Sequence, residues 1–256
     1  MNWKTFYAML SRDAHVARRN LFPMLLQNLL QPLLLTFVFG RVLTAGGVMQ
    51  AGYKSIILPG VMAISMVLAG VQGVAMPLIT EFQFTREIED RLLAPIDVSW
   101  LAVEKIVAGM IQALVAGLVV IPAGWLLMGS GVNLSFHQPF EFAAVCLLVA
   151  FFSAAGGLTL GCSVGQTQIG LMFSLVLAPM MMFGCAYYPW SVLKAFPVLR
   201  IAVLVNPLVY ASEGLRGALA PQTPHMSMAV VLGALLLIDF ALLAAGLNRF
   251  HHKAVS

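Results

Sequence analysis

The sequence predicts an all-α integral membrane protein with six transmembrane helices. An amphipathic interfacial helix precedes them, and they are joined by a charged cytoplasmic loop and by re-entrant helices on the outer side. Three observations predict this. Apolar residues make up 61% of the chain and charged residues 9%, against about 45–50% and about 25% in soluble domains. Six stretches are long and apolar enough to approach the ~20 residues a helix needs to cross a bilayer. The basic residues are distributed unequally between the two sets of loops, as expected of a chain that enters the membrane in a fixed orientation.

The six stretches are 21–42, 56–80, 101–128, 141–164, 169–188 and 226–247. Pro32, Pro122 and Pro179 fall inside them. A membrane bundle tolerates such breaks because neighbouring helices satisfy the freed carbonyls. A single transmembrane domain follows: 1–20 as interfacial helix, 21–248 as the bundle and 249–256 as a cytoplasmic tail. In 2–20, Trp3, Phe6, Tyr7, Leu10, Ala14 and Ala17 recur at helical spacing while Lys4, Arg12, Arg18 and Arg19 carry the polar side. That pattern suits a helix lying in the membrane interface. A cleaved secretory signal would need a much shorter charged lead.

With the N-terminus inside, the inner segments hold Lys4, Arg12, Arg18, Arg19, Arg86, Arg91, Lys105, Arg249 and Lys253. The outer ones hold Arg41, Lys54, Lys194, Arg200 and Arg216. Both termini are therefore expected in the cytoplasm. The net charge of +4 lies in flanks and loops, where it faces anionic lipid. No aromatic-interleaved basic patch suggests nucleic acid as a partner. Cys146, Cys162 and Cys185 all sit in apolar stretches without CxxC spacing, and they read as small buried hydrophobes rather than as a metal or disulfide framework.

Most of the charge of the connections is concentrated in 81–99. Phe84, Ile88 and Leu92 share one helical face, Arg86, Glu87, Glu89, Asp90 and Arg91 occupy the rest, and Pro95 ends the helix. Spacing alone fits both a solvated connector and a helix that docks on a cytoplasmic partner. Between the fifth and sixth stretches, 189–225 is apolar but broken by Pro189, Pro197, Pro207, Pro221 and Pro224. It reads as short re-entrant helices, in which Asn206 caps and Pro207 starts the last one.

Asp239 is the only carboxylate well inside a stretch, about 20 Å deep at 1.5 Å per residue. A structural acid and a proton-coupled group both remain open readings. Histidines 15, 137, 225, 251 and 252 fall in loops or tails and no HExxH occurs, which speaks against an intramembrane enzyme. Gln72, Met180 and Phe183 are candidates for an adaptable lining along a substrate path, and ordinary packing fits them as well.

Arg86-Glu87 followed by Arg91-Leu92-Leu93-Ala94-Pro95-Ile96 resembles the cytoplasmic loop of bacterial ABC-exporter permeases of the type-2 class, a group with drug-efflux and polysaccharide- or lipid-exporting subunits. Asn206-Pro207-Leu208-Val209-Tyr210, continuing to Glu213-Gly214-Leu215-Arg216, is similar to a second stretch of that family. Phe183-Gly184-Cys185-Ala186-Tyr187-Tyr188-Pro189 is similar to a third. The resemblance implies a type V exporter fold in the bacterial inner membrane, with two permease copies above two ATPase subunits. It implies that 82–93 is the coupling helix, its contacts being Phe84, Arg86, Glu87, Ile88, Asp90, Arg91 and Leu92. It places the path at the dimer interface, with Tyr187 and Asn206 near its outer end beside Gln72, Met180 and Phe183. No GxxxxGK[ST] loop occurs, so ATP and Mg are expected on the partner ATPase and no cofactor on this chain.

Overall fold

The computed structural model describes residues 10–12, 15, 21–49, 52–83, 98–129 and 131–255, and among them no strand occurs. Helix α1 (Leu21–Phe37) runs on through a π turn at Val38–Val42 to Ala45. Helices α2 (Tyr53–Gln83), α3 (Val98–Met128) and α4 (Pro139–Ser163) follow. Helix α5 (Ile169–Met182) is short and contains a second π turn at Phe173–Leu177. A bent pair comes next, α6 (Pro197–Ala202, extended as a 3-10 turn to Val205) and α7 (Pro207–Leu219). The chain ends in α8 (Met228–Val255).

Five helices are long and apolar enough to span a membrane, or six if the bent pair counts as one. The fifth stretch departs from the sequence reading. Its helix stops at Met182 and not near Tyr188, which makes it about 20 Å long at 1.5 Å per residue. Cys185, at φ 53, lies in the left-handed region, which a regular right-handed helix cannot accommodate. At the other end of the chain, α8 continues through residues 249–255, which the sequence assigned to a tail.

Helix α2 is the central element. It packs on α3, α4, α7 and α1, while α8 leans on α4. The α2–α4 crossing is built on small residues: a Cβ at Gly157 would lie 2.7 Å from the Val71 carbonyl oxygen, and one at Gly161 would lie 2.9 Å from Ala75 Cα. In a bilayer, close backbone approach of this kind replaces the hydrophobic drive that packs helices in water. The buried core runs along α2 through Ile57, Val61, Ile64, Val67, Val74 and Leu78. Pro59 and Pro77 lie inside this helix as well, and the elements packed around it hold it in place.

At one end of the bundle lie the end of α2 at Gln83 and the start of α3 at Val98. The opposite end carries the segment from 183 to 226. There the last carbonyls of α3 are met by basic side chains from two neighbours. Lys54 Nζ donates to the Met128 oxygen at 2.8 Å and Arg41 Nη1 to that of Leu127 at 3.4 Å. Cations suit a helix C-terminus, where unsatisfied carbonyls concentrate negative partial charge.

Candidate functional site

The end opposite Gln83 and Val98 is organised by two residues of α7. Pro207 at the first helical position and Asn206 as N-cap start this helix; Asn206 Oδ1 accepts from the Leu208 amide at 3.0 Å. The axis turns by 96° between the α6 limb and α7. Every residue from Leu208 to Leu219 except Tyr210 is buried. Glu213 and Arg216 lie on α7 at i and i+3, 1% and 0% exposed.

Arg216 Nη1 donates to Glu213 Oε1 at 2.5 Å. Its Nη2 donates to the Cys185 carbonyl at 2.8 Å and to that of Ala186 at 3.4 Å, while Nε reaches the Ile56 carbonyl on α2 at 3.3 Å. Glu213 Oε1 also accepts from the Trp190 amide, and Oε2 from the Met226 amide, both at 2.8 Å. Burying two ions costs several kcal/mol each, which is offset only where geometry and further hydrogen bonds satisfy them. Here each charged group reaches the other and backbone groups of separate segments. Together they hold the head of α2, the 185–190 turn, α7 and the head of α8.

Close packing reinforces the same junction. Tyr53 donates its hydroxyl to the Tyr187 carbonyl at 2.6 Å. A Cβ at Gly60 would stand 1.9 Å from the Ala186 carbonyl oxygen, so that backbone rests directly on α2.

Beside the junction lies an apolar cleft of 460 Å³ between the end of α5 and the bent pair. Val176, Met180, Phe183, Leu199, Val203 and Asn206 are among its walls. Among the described residues that line it, Asn206 alone has a polar side chain, and both ends of that amide are engaged. Besides capping α7 it donates Nδ2 to the Met180 carbonyl at 2.7 Å. The cleft therefore offers hydrocarbon contact and no available polar group. The face of α6 turned away from the core is exposed, with Val198 at 84% and Val205 at 87%, and Arg200 stacks on the Trp190 ring at 4.0 Å.

The structure thus brings together three of the residues expected along a path: Met180, Phe183 and Asn206. Tyr187 sits behind the cleft rather than in its lining, its ring 6.0 Å from Phe39. Gln72 is half-buried in the middle of α2 and away from the cleft. Phe84, Arg86, Glu87, Ile88, Asp90, Arg91 and Leu92 lie outside the described residues, as does most of the N-terminal interfacial segment. The sequence reading gave no individual role to Glu213 and counted Arg216 as an outer-loop charge. The signal was present in their i,i+3 spacing on a helix started by Asn206-Pro207.

At the other end of the bundle Glu81 and Lys105 join α2 to α3, with Oε1 and Nζ 2.6 Å apart. Helix α8 is fastened to the end of α4 there: Arg249 Nη1 donates to Ser163 Oγ, and Lys253 Nζ donates to the Gly161 carbonyl at 3.3 Å. Lys253 also lies 5.0 Å above the Phe82 ring.

A search of curated proteins finds no match. The sequence does match one family, described as ABC-2 type transporter, over residues 4–220. That match takes in α1 to α7, with the cleft and both polar junctions at the ends of α2, and it stops one residue past the end of α7. A multi-pass helical bundle, a bent apolar pair and a family match across most of the chain agree: this protein belongs to the ABC-2 type transporter family and is a membrane permease of an ABC transporter.

Proposed function

We propose that the permease works as an exporter subunit, moving an amphipathic, lipid-like or glycan-type substrate outward by alternating access. The energy comes from ATP and Mg bound by a separate ATPase subunit that docks on 82–93. In this reading the chain is a single transmembrane domain in the bacterial inner membrane with both termini cytoplasmic. The 183–226 end then faces outward and Tyr187 lies near the outer mouth of the path. The observation that carries the reading is the position of the apolar cleft, at the end of the bundle remote from Gln83, where the segment proposed to dock leaves α2. Its walls favour the apolar portion of a substrate.

A second permease copy, most simply an identical one, completes the unit. The exposed apolar faces of α1 (Leu26, Leu30, Leu34) and α5 (Leu171, Leu175) support this, as does a 540 Å³ apolar groove between α1 and Leu127. Membrane lipid would cover whatever that copy leaves open. A secondary transporter or channel not dependent on ATP is the second reading, most simply a proton-driven transporter. It is favoured by Asp239, which is 5% exposed and whose carboxylate oxygens accept no hydrogen bond among the described residues.

The test is reconstitution in proteoliposomes with a separately expressed ABC ATPase. ATP-dependent movement of a fluorescent lipid, absent without the ATPase, is the expected result. Movement that follows a proton gradient and ignores ATP would overturn the exporter reading in favour of the second.

A further inference from the structure

The junction around Arg216 and Glu213 divides the bent pair into two mechanically different limbs. The α7 limb is buried, and its ion pair reaches backbone groups at 56, 185, 186, 190 and 226. The α6 limb is exposed along Val198, Ile201 and Val205. Its inner residues Leu199, Val203 and Leu204 pack on the core and Arg200 stacks on Trp190. Its polar ties, however, are two single hydrogen bonds, from Trp190 Nε1 to the Arg200 carbonyl at 3.0 Å and from the Tyr210 hydroxyl to that of Leu204 at 2.9 Å. Between the limbs stands Asn206, where the chain leaves helical geometry at φ −83 and ψ 115.

We propose that Arg216 and Glu213 are positioning residues that make α7, the 185–190 turn and the head of α2 one body, leaving the α6 limb as the movable wall of the cleft. Helix α2 runs without interruption from Tyr53 to Gln83, so a displacement at its 83 end arrives at this body and not at α6 directly. The α5 wall runs straight into the 185–190 turn and is tied to α7 at Gly184, where a Cβ would meet Leu208 at 2.4 Å. The cleft then changes width because that wall follows the body while α6 lags about a hinge at Asn206. The source of that displacement rests on the exporter reading. The existence of the body does not.

The role of the pair is to serve several backbone partners at once, and this separates it from an ordinary salt bridge. Trp190 and Met226 present amides that need an acceptor at 213, while Ile56, Cys185 and Ala186 present carbonyls that need a donor at 216. Exchanging the charges, Glu213→Arg with Arg216→Glu, keeps the ion pair but faces donors with donors and acceptors with acceptors. Arg216→Lys keeps the sense of the bonds and loses their number.

Spin-label distances test this directly. Gly52 and Val192 are exposed and directly adjoin the proposed body, at the start of α2 and just past the 185–190 turn; Val198 is exposed on the α6 limb. The native Cys146, Cys162 and Cys185 are buried and stay unlabelled by a polar thiol reagent. In the full-length permease with its ATPase, the 52–192 pair should give one narrow distribution with ADP and with ATP. The 52–198 pair should shift by more than its own width. Equal shifts in both pairs would overturn the proposal. In the permease alone, which needs no ATPase, Glu213→Gln with Arg216→Gln should broaden the 52–192 distribution. Arg216→Lys should broaden it less, and the charge exchange at least as much. A charge exchange that restores the narrow distribution would reduce the pair to a simple salt bridge and sink the idea. Failure of the exporter reading would remove the nucleotide response of 52–198 and leave the permease-alone results intact.

Discussion

Glu81 and Lys105 face each other across α2 and α3 with 2.6 Å between carboxylate and ammonium, and both side chains are almost fully buried. The pair stands near the end of α2 and the start of α3 and clamps these two helices together there. Lys105→Met takes the ammonium away from the Glu81 carboxylate, and losing one partner of a buried pair costs on the order of 3 kcal/mol. Thermal unfolding in micelles should show the loss. Adding Glu81→Leu should recover most of it. A Lys105→Met protein as stable as the parent would show that the pair carries no weight.

Gly60 and Gly233 form a matched pair of tests. A Cβ at Gly60 meets the Ala186 carbonyl oxygen at 1.9 Å, whereas one at Gly233 meets nothing within 4 Å. Gly60→Ala should cost about 3 kcal/mol, since backbone cannot rotate aside. Gly233→Ala should be neutral or slightly stabilising, as alanine is the better helix former. Similar melting temperatures for the two variants would contradict this account of the α2–turn contact.

At Asn206 two functions can be separated. Asn206→Asp keeps the cap on α7 but loses the donor to the Met180 carbonyl; Asn206→Ala loses both. Stability should fall from the parent to Asn206→Asp and again to Asn206→Ala, with the cap itself contributing about 1 kcal/mol. An alanine variant no worse than the aspartate would remove the cap from the explanation.

If 82–93 docks on the ATPase as proposed, Phe84→Ala combined with Glu87→Lys should give a normally inserted permease that recovers little ATPase on pull-down. Aromatic anchors at such interfaces are commonly worth at least about 2 kcal/mol. A solvated connector makes the opposite claim, and undiminished ATPase association would establish it.

Asp239→Asn should leave export within a few-fold of the parent, because the amide preserves shape and removes only the capacity to ionise. Export abolished in a correctly inserted Asp239→Asn variant, measured in the same vesicles, would favour the proton-driven reading instead.

What could be read from the sequence was what is local. Proline at 207 after asparagine at 206 announces a helix start through its own backbone and side-chain chemistry, and the structure places the start there. Apolar length found the helices. Hydropathy also carried the fifth one too far, because Cys185, Ala186 and Tyr187 are apolar enough to continue a span while their backbone turns away. Arg216 escaped for a different reason. An arginine in an outer segment reads as solvated even with Glu213 at i−3, and only the fold brings the Ile56 carbonyl, 160 positions earlier in the chain, to its guanidinium. The Gly157–Gly161 step was equally silent, since glycines acquire meaning only when a second backbone lies against them.

The brevity of α5 reaches beyond the protein. A helix of about 20 Å beside a hydrocarbon layer near ~30 Å forces the adjoining lipid to thin or the helix ends to be wetted. Any lipid left beside α5 is then either compressed into a less ordered annulus or leaves the helix ends wetted. Mismatch is costed in fractions of a kcal/mol per Å, so acyl-chain length in the host membrane becomes a control on this permease. Thicker bilayers press on α5 hardest and leave the long, enclosed α2 least disturbed.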